Sequence, residues 1–102
     1  MANIIIGTTP TITYKFHIVS PTELSKAILT IERDESILIE KTLESATIEE
    51  DSLSWTLSQE ETLSLGTKNA KMMVNWVTMD GVRGASEETT ITGTNNHKKE
   101  VI

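Results

Sequence analysis

The segment Thr11-Ile-Thr-Tyr-Lys-Phe-His-Ile18 decides the fold, because its residues alternate strictly between polar and apolar. The apolar residues of this segment share one face, and they are Ile12, Tyr14, Phe16 and Ile18. A period of two that uses β-branched and aromatic residues predicts a strand with one packed face and one solvated face. The pattern therefore indicates a β domain whose core lies against one side of this strand.

Strand signals continue toward the carboxyl end of the chain. They cover residues 26–33, 37–42, 53–57, 70–79 and 86–92. Asp80-Gly81 predicts a hairpin turn, because both residues tolerate positive φ. Trp55 and Trp76 fall on apolar faces of their segments, so we expect both in the core.

Two short polar segments between the predicted strands have the form of a capping box. Ser20-Pro-Thr-Glu23 and Ser58-Gln-Glu-Glu61 each place Ser three residues before Glu, which predicts a helix start. Gly66 suits the end of the second helix. With six or seven strands and only such connectors, the sequence predicts an all-β fold. We expect an antiparallel two-sheet sandwich, immunoglobulin-like, with one or two single-turn helical connectors.

The length of 102 residues supports one domain. We expect residues 1–92 to form a single β-sandwich domain. Residues 93–102 lose the alternation and become polar, which predicts a mobile C-terminal tail.

The composition argues against several classes of function. The formal charge of −6 disfavours binding to nucleic acid or an anionic membrane through a basic field. The chain has no cysteine, so a thiolate metal site and a cysteine nucleophile are excluded. The amino terminus does not have the pattern of a signal peptide, which predicts a protein kept in the cytoplasm.

The ionisable residues do not form a catalytic or metal-ligating pattern. His17 lies on the predicted solvated face, and the second histidine, His97, lies in the predicted tail. The acidic run at residues 49–51 lacks the spacing of a calcium loop. Glu87 and Glu88 are neighbours on a predicted strand and so point to opposite faces. We therefore predict no enzymatic activity, no cofactor and no metal site.

The amino-terminal run Asn3, Ile4, Ile5 and Ile6 is the candidate site for assembly. It is short, uncharged and β-branched. Three consecutive isoleucines cannot all face one side of a strand, so the run either lies between covered surfaces or pairs with the sheet edge of another chain. The predicted role of Asn3 to Ile6 is an edge for protein–protein assembly, with self-association left open.

The chain resembles small proteins encoded among the virion-structure genes of tailed phages and prophages of Gram-positive gut bacteria. Residues 7–16 resemble their opening, and Leu57-Ser-Gln-Glu-Glu-Thr-Leu63 resembles a later block. Smaller matches are the Glu-Lys pair at 40–41, Asp80-Gly81, Ala85-Ser86 and the closing Val101-Ile102. Relatives often carry Gln and Arg where this chain has Asn75 and Val77, so a family contact made there is not implied here.

The resemblance implies a structural or accessory part in a virion and no enzymatic role. The expected partners are proteins, either a second copy of the chain or other phage structural proteins. The expected location is the bacterial host cytoplasm during assembly and afterwards the virion. The alternative is a stand-alone immunoglobulin-like module that binds a carbohydrate or a cell-surface partner, since sandwich folds serve many such roles.

Overall fold

The computed structural model describes residues 2–17 and 19–94, and of Ala2 and Asn3 it describes only the backbone. Ile18, which the alternation places on the packed face, lies outside the described residues. Residues 95–102, which hold His97 and most of the predicted tail, also lie outside them.

The described chain is mostly β, with nine strands and one α-helix. In chain order these are β1 (Ala2–Ile5), β2 (Thr11–Lys15), β3 (Leu24–Arg33), β4 (Ser36–Thr42), β5 (Thr47–Ile48), β6 (Ser52–Thr56), α1 (Gln59–Leu65), β7 (Asn69–Thr78), β8 (Arg83–Ala85) and β9 (Thr89–Thr94). Short 3-10 turns cover Pro21–Glu23 and Leu43–Ser45.

The strands form a large sheet and a small sheet. The large sheet has the order β1-β9-β7-β3-β4, and β8 also pairs with β7. The small sheet has the order β2-β6-β5. All pairs are antiparallel except β1 and β9, which run parallel, so the large sheet is mixed. The prediction of a purely antiparallel fold is wrong at this pair, because β1 joins the last strand of the chain rather than a strand next to it in sequence.

The core consists of two apolar clusters that take side chains from both sheets. One lies near α1 and contains Ile4, Ile31, Ile39, Leu57, Leu65, Ala70 and Ile91, with Ile12 of the small sheet packed against it. The other contains Phe16, Leu24, Ala27, Leu29, Leu53, Trp55 and Val74, with Tyr14 and Trp76 packed against it. Trp55 is fully buried and donates its indole N–H to the carbonyl of Thr42 at 2.9 Å. The expectation that the inward residues of the alternating strands form the core is confirmed for these positions.

The helical connectors differ from the prediction in length and capping. Ser58 and Glu61 form the predicted capping box, and α1 runs for seven residues to Gly66 at φ 66°. It is therefore longer than the single turn that we expected, because the paired caps satisfy the backbone at its start. At the first connector, Ser20 accepts a hydrogen bond from the Thr22 amide instead of the Glu23 amide, and only a 3-10 turn forms.

The predicted tail begins two residues too early. Gly93 and Thr94 belong to β9, where they pair with Ile4 and Ile5 of β1. A glycine followed by a threonine is polar in sequence and has no alternating pattern. Its strand conformation comes from pairing with the other end of the chain, which the local sequence does not indicate.

Candidate functional site

The predicted assembly edge, Asn3 to Ile6, forms an outer strand of the large sheet. Ala2–Ile5 pair in parallel with residues 91–94, and β9 is the only neighbour of β1 among the described strands. Ile4 and Ile6 are buried, whereas Ile5 is 51% exposed. The run of three isoleucines therefore places two side chains in the chain's own core and one on its surface.

Hydrogen bonds attach the end of β1 to helix α1. The Gly7 amide donates to Thr62 Oγ1 at 2.9 Å, and Thr62 Oγ1 donates to the Thr8 carbonyl at 2.8 Å. Gln59 Nε2 donates to the Gly7 carbonyl at 3.2 Å. Thr62 is fully buried. These bonds fix the position from which β1 enters the sheet.

The backbone of β1 has one paired side and one open side. The Ile6 amide donates to the Thr94 carbonyl at 3.0 Å, so Ile6 faces β9. Because backbone groups alternate in direction along a strand, the amide and carbonyl of Ile5 face away from β9. Thr8 Oγ1 donates to that carbonyl at 2.6 Å. Of the two outward backbone groups of Ile5, the amide is therefore the one that can still bond to another chain.

The small sheet has an open edge at β2. The Phe16 amide donates to the Asp51 carbonyl, and the Pro10 carbonyl accepts from the Leu57 amide. Even-numbered residues of β2 therefore face β6, and the backbone groups of Thr11, Thr13 and Lys15 face outward. Within the described chain no hydrogen bond reaches these outward groups.

A groove runs beside this open edge, between β2 and the large sheet. We call it the seam groove and define it by Ile12, Tyr14, Met72, Val74, Trp76 and Arg83. It consists of two hollows of about 360 Å³ each, which meet at Tyr14 and His17. The first hollow has mostly aliphatic walls from β2 and β7. The second holds the aromatic side chains and Arg83.

Aromatic rings pack closely at the second hollow. The ring centroids of Tyr14 and Phe16 are 4.8 Å apart, and those of Phe16 and Trp76 are 5.1 Å apart, both edge to face. Tyr14 and Trp76 lie 5.7 Å apart. The indole of Trp76 covers Gly84 on β8, where a side chain would overlap it. Trp76 is therefore held from three sides and lines the groove in a defined position.

Four polar side chains in the seam groove have no partner among the described residues. These are Tyr14, His17, Trp76 and Arg83, none of which makes a hydrogen bond or an ion pair there. Their polar atoms are not buried without a partner, so they face solvent. Indole and guanidinium groups only donate hydrogen bonds. The groove therefore offers donors to an acceptor that enters it.

The acidic residues considered for metal binding or catalysis are distributed over separate surfaces. Asp51 pairs with Lys15 at 3.4 Å, and Glu88 pairs with Lys71 at 3.2 Å, both on the surface. Across residues 2–17 and 19–94, no group of three or more His, Asp or Glu side chains is placed to hold a metal ion. His17 lines the seam groove, where Glu87 lines the same hollow, and the amide of its neighbour Phe16 donates to the Asp51 carbonyl at 2.8 Å.

The surroundings of Glu61 lower the pKa of its carboxyl group. Partial burial alone would raise its pKa, but hydrogen bonds from Lys41 and Ser58 and the Lys41 charge outweigh burial and lower the pKa. Lys41 Nζ lies 2.8 Å from Glu61 Oε1 and joins β4 to α1. These contacts serve the helix start, so Glu61 has a structural part in the fold.

No local pattern in the sequence indicates the seam groove. The alternation of residues 11–18 correctly placed Tyr14 and Phe16 on an inward face. The alternation did not indicate that the outer edge of β2 would stay unpaired. That depends on β1 pairing with β9, near the other end of the chain, and not with β2. The open edge of β2 follows from a long-range pairing.

No helix in the described part of the chain combines the length and the apolarity needed to cross a membrane. No family model, curated protein or solved structure matches the chain.

Proposed function

We propose that the chain is a non-enzymatic structural or interaction protein of phage or prophage origin, which joins other proteins of a virion through the edges of its sheets. The phage origin rests on the resemblance of residues 7–16 and 57–63 described above. The assembly role rests on the position of β1.

The observation that carries the assembly role is the outward amide of Ile5 on an outermost strand. Ile4 and Ile6 anchor β1 in the core, so the strand is held in place before any partner arrives. Ile5 is half exposed beside its available amide. An ordered edge that presents an apolar side chain and a free donor is the usual acceptor for a strand of another chain.

We further propose that the two sheets pack as an immunoglobulin-like sandwich. In such folds one sheet carries the second, fifth and fourth strands in the order B-E-D, and the other carries C, F and G. The order β2-β6-β5 and the order β9-β7-β3-β4 support this assignment, with β4 in the place of C′. The two mixed core clusters support it as well.

Particles from an induced prophage that encodes the chain test the proposed function. We expect the wild-type chain in purified virions or in their assembly intermediates, detected by mass spectrometry. Ile5→Pro removes the outward amide without removing a bond to β9, so we expect it to be lost from the particles. Ile5→Thr keeps the amide and the β-branched shape, and we expect it to be incorporated.

Both variants must first melt close to the wild type, which shows that β1 still pairs with β9. If the wild-type chain is absent from particles and intermediates, the virion role is wrong. If Ile5→Pro enters particles as well as Ile5→Thr does, the chain is incorporated by a surface other than β1.

A further inference from the structure

We propose that the open edge of β2 binds an extended segment of another protein, which adds to the small sheet as a fourth strand and places alternate side chains in the seam groove. The inference rests on the proposed function, since it assigns to an assembly protein a second edge and the kind of segment that occupies it.

The backbone of β2 is prepared for a further strand. Thr11, Thr13 and Lys15 present their outward amides and carbonyls along five residues, with no bulge in the pairing with β6. Since residues of a strand repeat every two positions, these three residues match the hydrogen-bonding groups of one added strand. Pro10 precedes the strand and leaves its interior free of proline.

The other sheet edges are less suited to this pairing. β5 has only two residues, and β1 has four, with the outward Ile5 carbonyl already bonded to Thr8. β4 is an outer strand, but its pairing with β3 has a register shift at Ile31/Glu32. Short strands, local hydrogen bonds and bulges are the devices that protect natural sheet edges. Among the described strands, β2 carries the least of this protection.

The groove beside β2 gives the added strand a place for its side chains. Ile12 and Met72 are partly buried and form apolar walls with Val74 in the first hollow. Side chains on one face of a strand repeat about every 7 Å, so an added strand would point every second residue into the groove. This predicts a partner segment with small or β-branched apolar residues at alternate positions.

The charged side chains of the second hollow predict the chemistry of the end of the partner segment that reaches it. Arg83 and His17 are the ionisable side chains other than Tyr14 that line this hollow, and neither has a partner among the described residues. The first hollow shares His17 and adds Lys15 and Glu87, whose opposite charges offset each other. In a chain of net charge −6, a cationic hollow is unusual. We therefore expect a carboxylate on the partner segment at the Arg83 end, where guanidinium pairs well with it.

The position beside β2 is the one that the first strand occupies in the common immunoglobulin arrangement A-B-E-D. Here the first strand, β1, pairs with β9 of the large sheet instead. The small sheet is consequently one strand short at β2. An incoming strand would occupy a position that the fold type can fill without rearranging the other strands.

Two synthetic peptides are the probes: acetyl-Glu-Thr-Val-Thr-Val-Thr-amide and the peptide of reversed sequence. With these two sequences, the Glu side chain can lie near Arg83 whether the peptide adds parallel or antiparallel to β2. We expect one of them to bind at concentrations up to about 1 mM, a range typical of short peptides. In amide-resolved NMR, the shifts should centre on Thr11, Thr13 and Lys15.

Thr13→Pro is the decisive variant. It removes the central outward amide, and no backbone bond to β6 is lost. It also removes the hydroxyl contact of Thr13 with Ser54, so Thr13→Val is the matched control that keeps the amide. We expect Thr13→Pro to weaken peptide binding about tenfold or more, and Thr13→Val to change it about twofold at most.

Arg83→Gln tests the charge. We expect it to weaken binding of the Glu peptides and to abolish their preference over peptides that carry Gln in place of Glu. Retention of the preference would overturn the assigned carboxylate.

Three results would overturn the proposal itself. One is the absence of saturable shifts with both peptides at about 1 mM. Another is equal binding by Thr13→Pro and Thr13→Val. The third is occupation of the groove by something else, either a second copy, seen as self-association that Thr13→Pro abolishes, or an oligogalacturonate that binds where the peptides do not. Because the peptide experiment needs no virion, its failure leaves the particle experiment with Ile5→Pro intact.

Discussion

Asp34 and Glu35 carry positive φ angles of 52° and 67° at the turn between β3 and β4. Arg33 pairs with Ser36, so these are the two central residues of a tight hairpin turn. Such turns favour Asn or Asp followed by Gly, because a side chain in the left-handed region crowds the backbone. Asp34 fits this preference and Glu35 does not. The turn therefore holds a residue that costs stability.

Glu35→Gly should stabilise the protein by about 0.5–1 kcal/mol, since glycine adopts the left-handed region without crowding. The midpoint of urea unfolding measures the gain. Glu44→Gly is a useful comparison, because Glu44 is exposed and does not have a positive φ angle. We expect this change to destabilise the protein. A loss of stability in Glu35→Gly would contradict the assigned turn strain.

Gly93 lies in close contact with the backbone of Gly66. A Cβ at position 93 would overlap the Gly66 carbonyl and approach Ile6 Cγ2 to 3.2 Å. Since the obstacle is backbone, it cannot turn aside as a long side chain could. The contact connects β9, the end of α1 and the residue that follows β1.

Gly93→Ala should therefore destabilise the protein by about 2 kcal/mol or more, as overpacking against fixed atoms does. Thr94→Ala changes the exposed neighbouring side chain and should alter stability by less than about 0.5 kcal/mol. Thermal and urea unfolding compare the two. A Gly93→Ala protein as stable as Thr94→Ala would show that the chain near Gly66 moves aside easily.

At the scale of the element, helix α1 depends on the charge of Glu61. Its pKa is lowered by the contacts with Lys41 and Ser58 against the opposing effect of burial. A carboxyl with a lowered pKa in the folded state stabilises the fold above its unfolded value of 4.5. That contribution is lost as the pH falls through the folded-state pKa.

Glu61→Gln keeps the capping hydrogen bonds and removes the charge, because Gln also serves in a capping box. We expect it to lower stability at pH 7 by about 0.5–1 kcal/mol. The difference from wild type should shrink as the pH falls from 7 into the acid range through the folded-state pKa of Glu61, where the wild-type carboxyl also becomes neutral. Glu60→Gln, one residue away and exposed, should show little difference at either pH. A deficit that persists in acid would assign the effect to packing.

Local patterns predicted the strands whose own side chains alternate. β3, β4, β6 and β7 lie within two residues of the predicted segments, β2 begins at the predicted Thr11 but ends three residues earlier, at Lys15, and the capping box at Ser58 correctly marked α1. β8 was not predicted, because Arg83-Gly84-Ala85 has no alternation. It forms a strand because it pairs with β7, and the indole of Trp76 packs against Gly84.

The candidate site also combines features that the local sequence indicates with features that depend on the fold. Asn3 to Ile6 stood out for its composition, but that composition did not tell which of two roles it has. The structure gives Ile4 and Ile6 a place in the core and leaves Ile5 exposed. The seam groove had no local signal at all, because its walls come from strands about 60 residues apart in sequence, β2 and β7.

At the scale of the whole molecule, β1 contributes to the core of the entire domain. Ile4 is 7% exposed and belongs to the cluster with Leu65 and Ile91. Removal of the amino-terminal segment would therefore take away core contacts together with any assembly edge. A truncated chain that fails to assemble would not separate these two roles, which is the reason for the Ile5 variants above.

Ile4→Ala should destabilise the protein by about 2–4 kcal/mol, the usual cost of truncating a buried isoleucine. Ile5→Ala, at a position that is 51% exposed, should cost less than about 1 kcal/mol. Urea unfolding curves of the two variants test the burial pattern of β1. Similar losses at both positions would mean that β1 does not pair in the assigned register.

The parallel pairing of β1 and β9 has a mechanical consequence. The chain continues backward from Ala2 and forward from Thr94, at opposite ends of this pair. Tension applied through the two chain ends would pull the strands past each other along their length. In that geometry the bonds of the pair share the load and yield together, whereas a hairpin pulled from its open end would unzip one bond at a time. A domain built in this way resists stretching between its two ends.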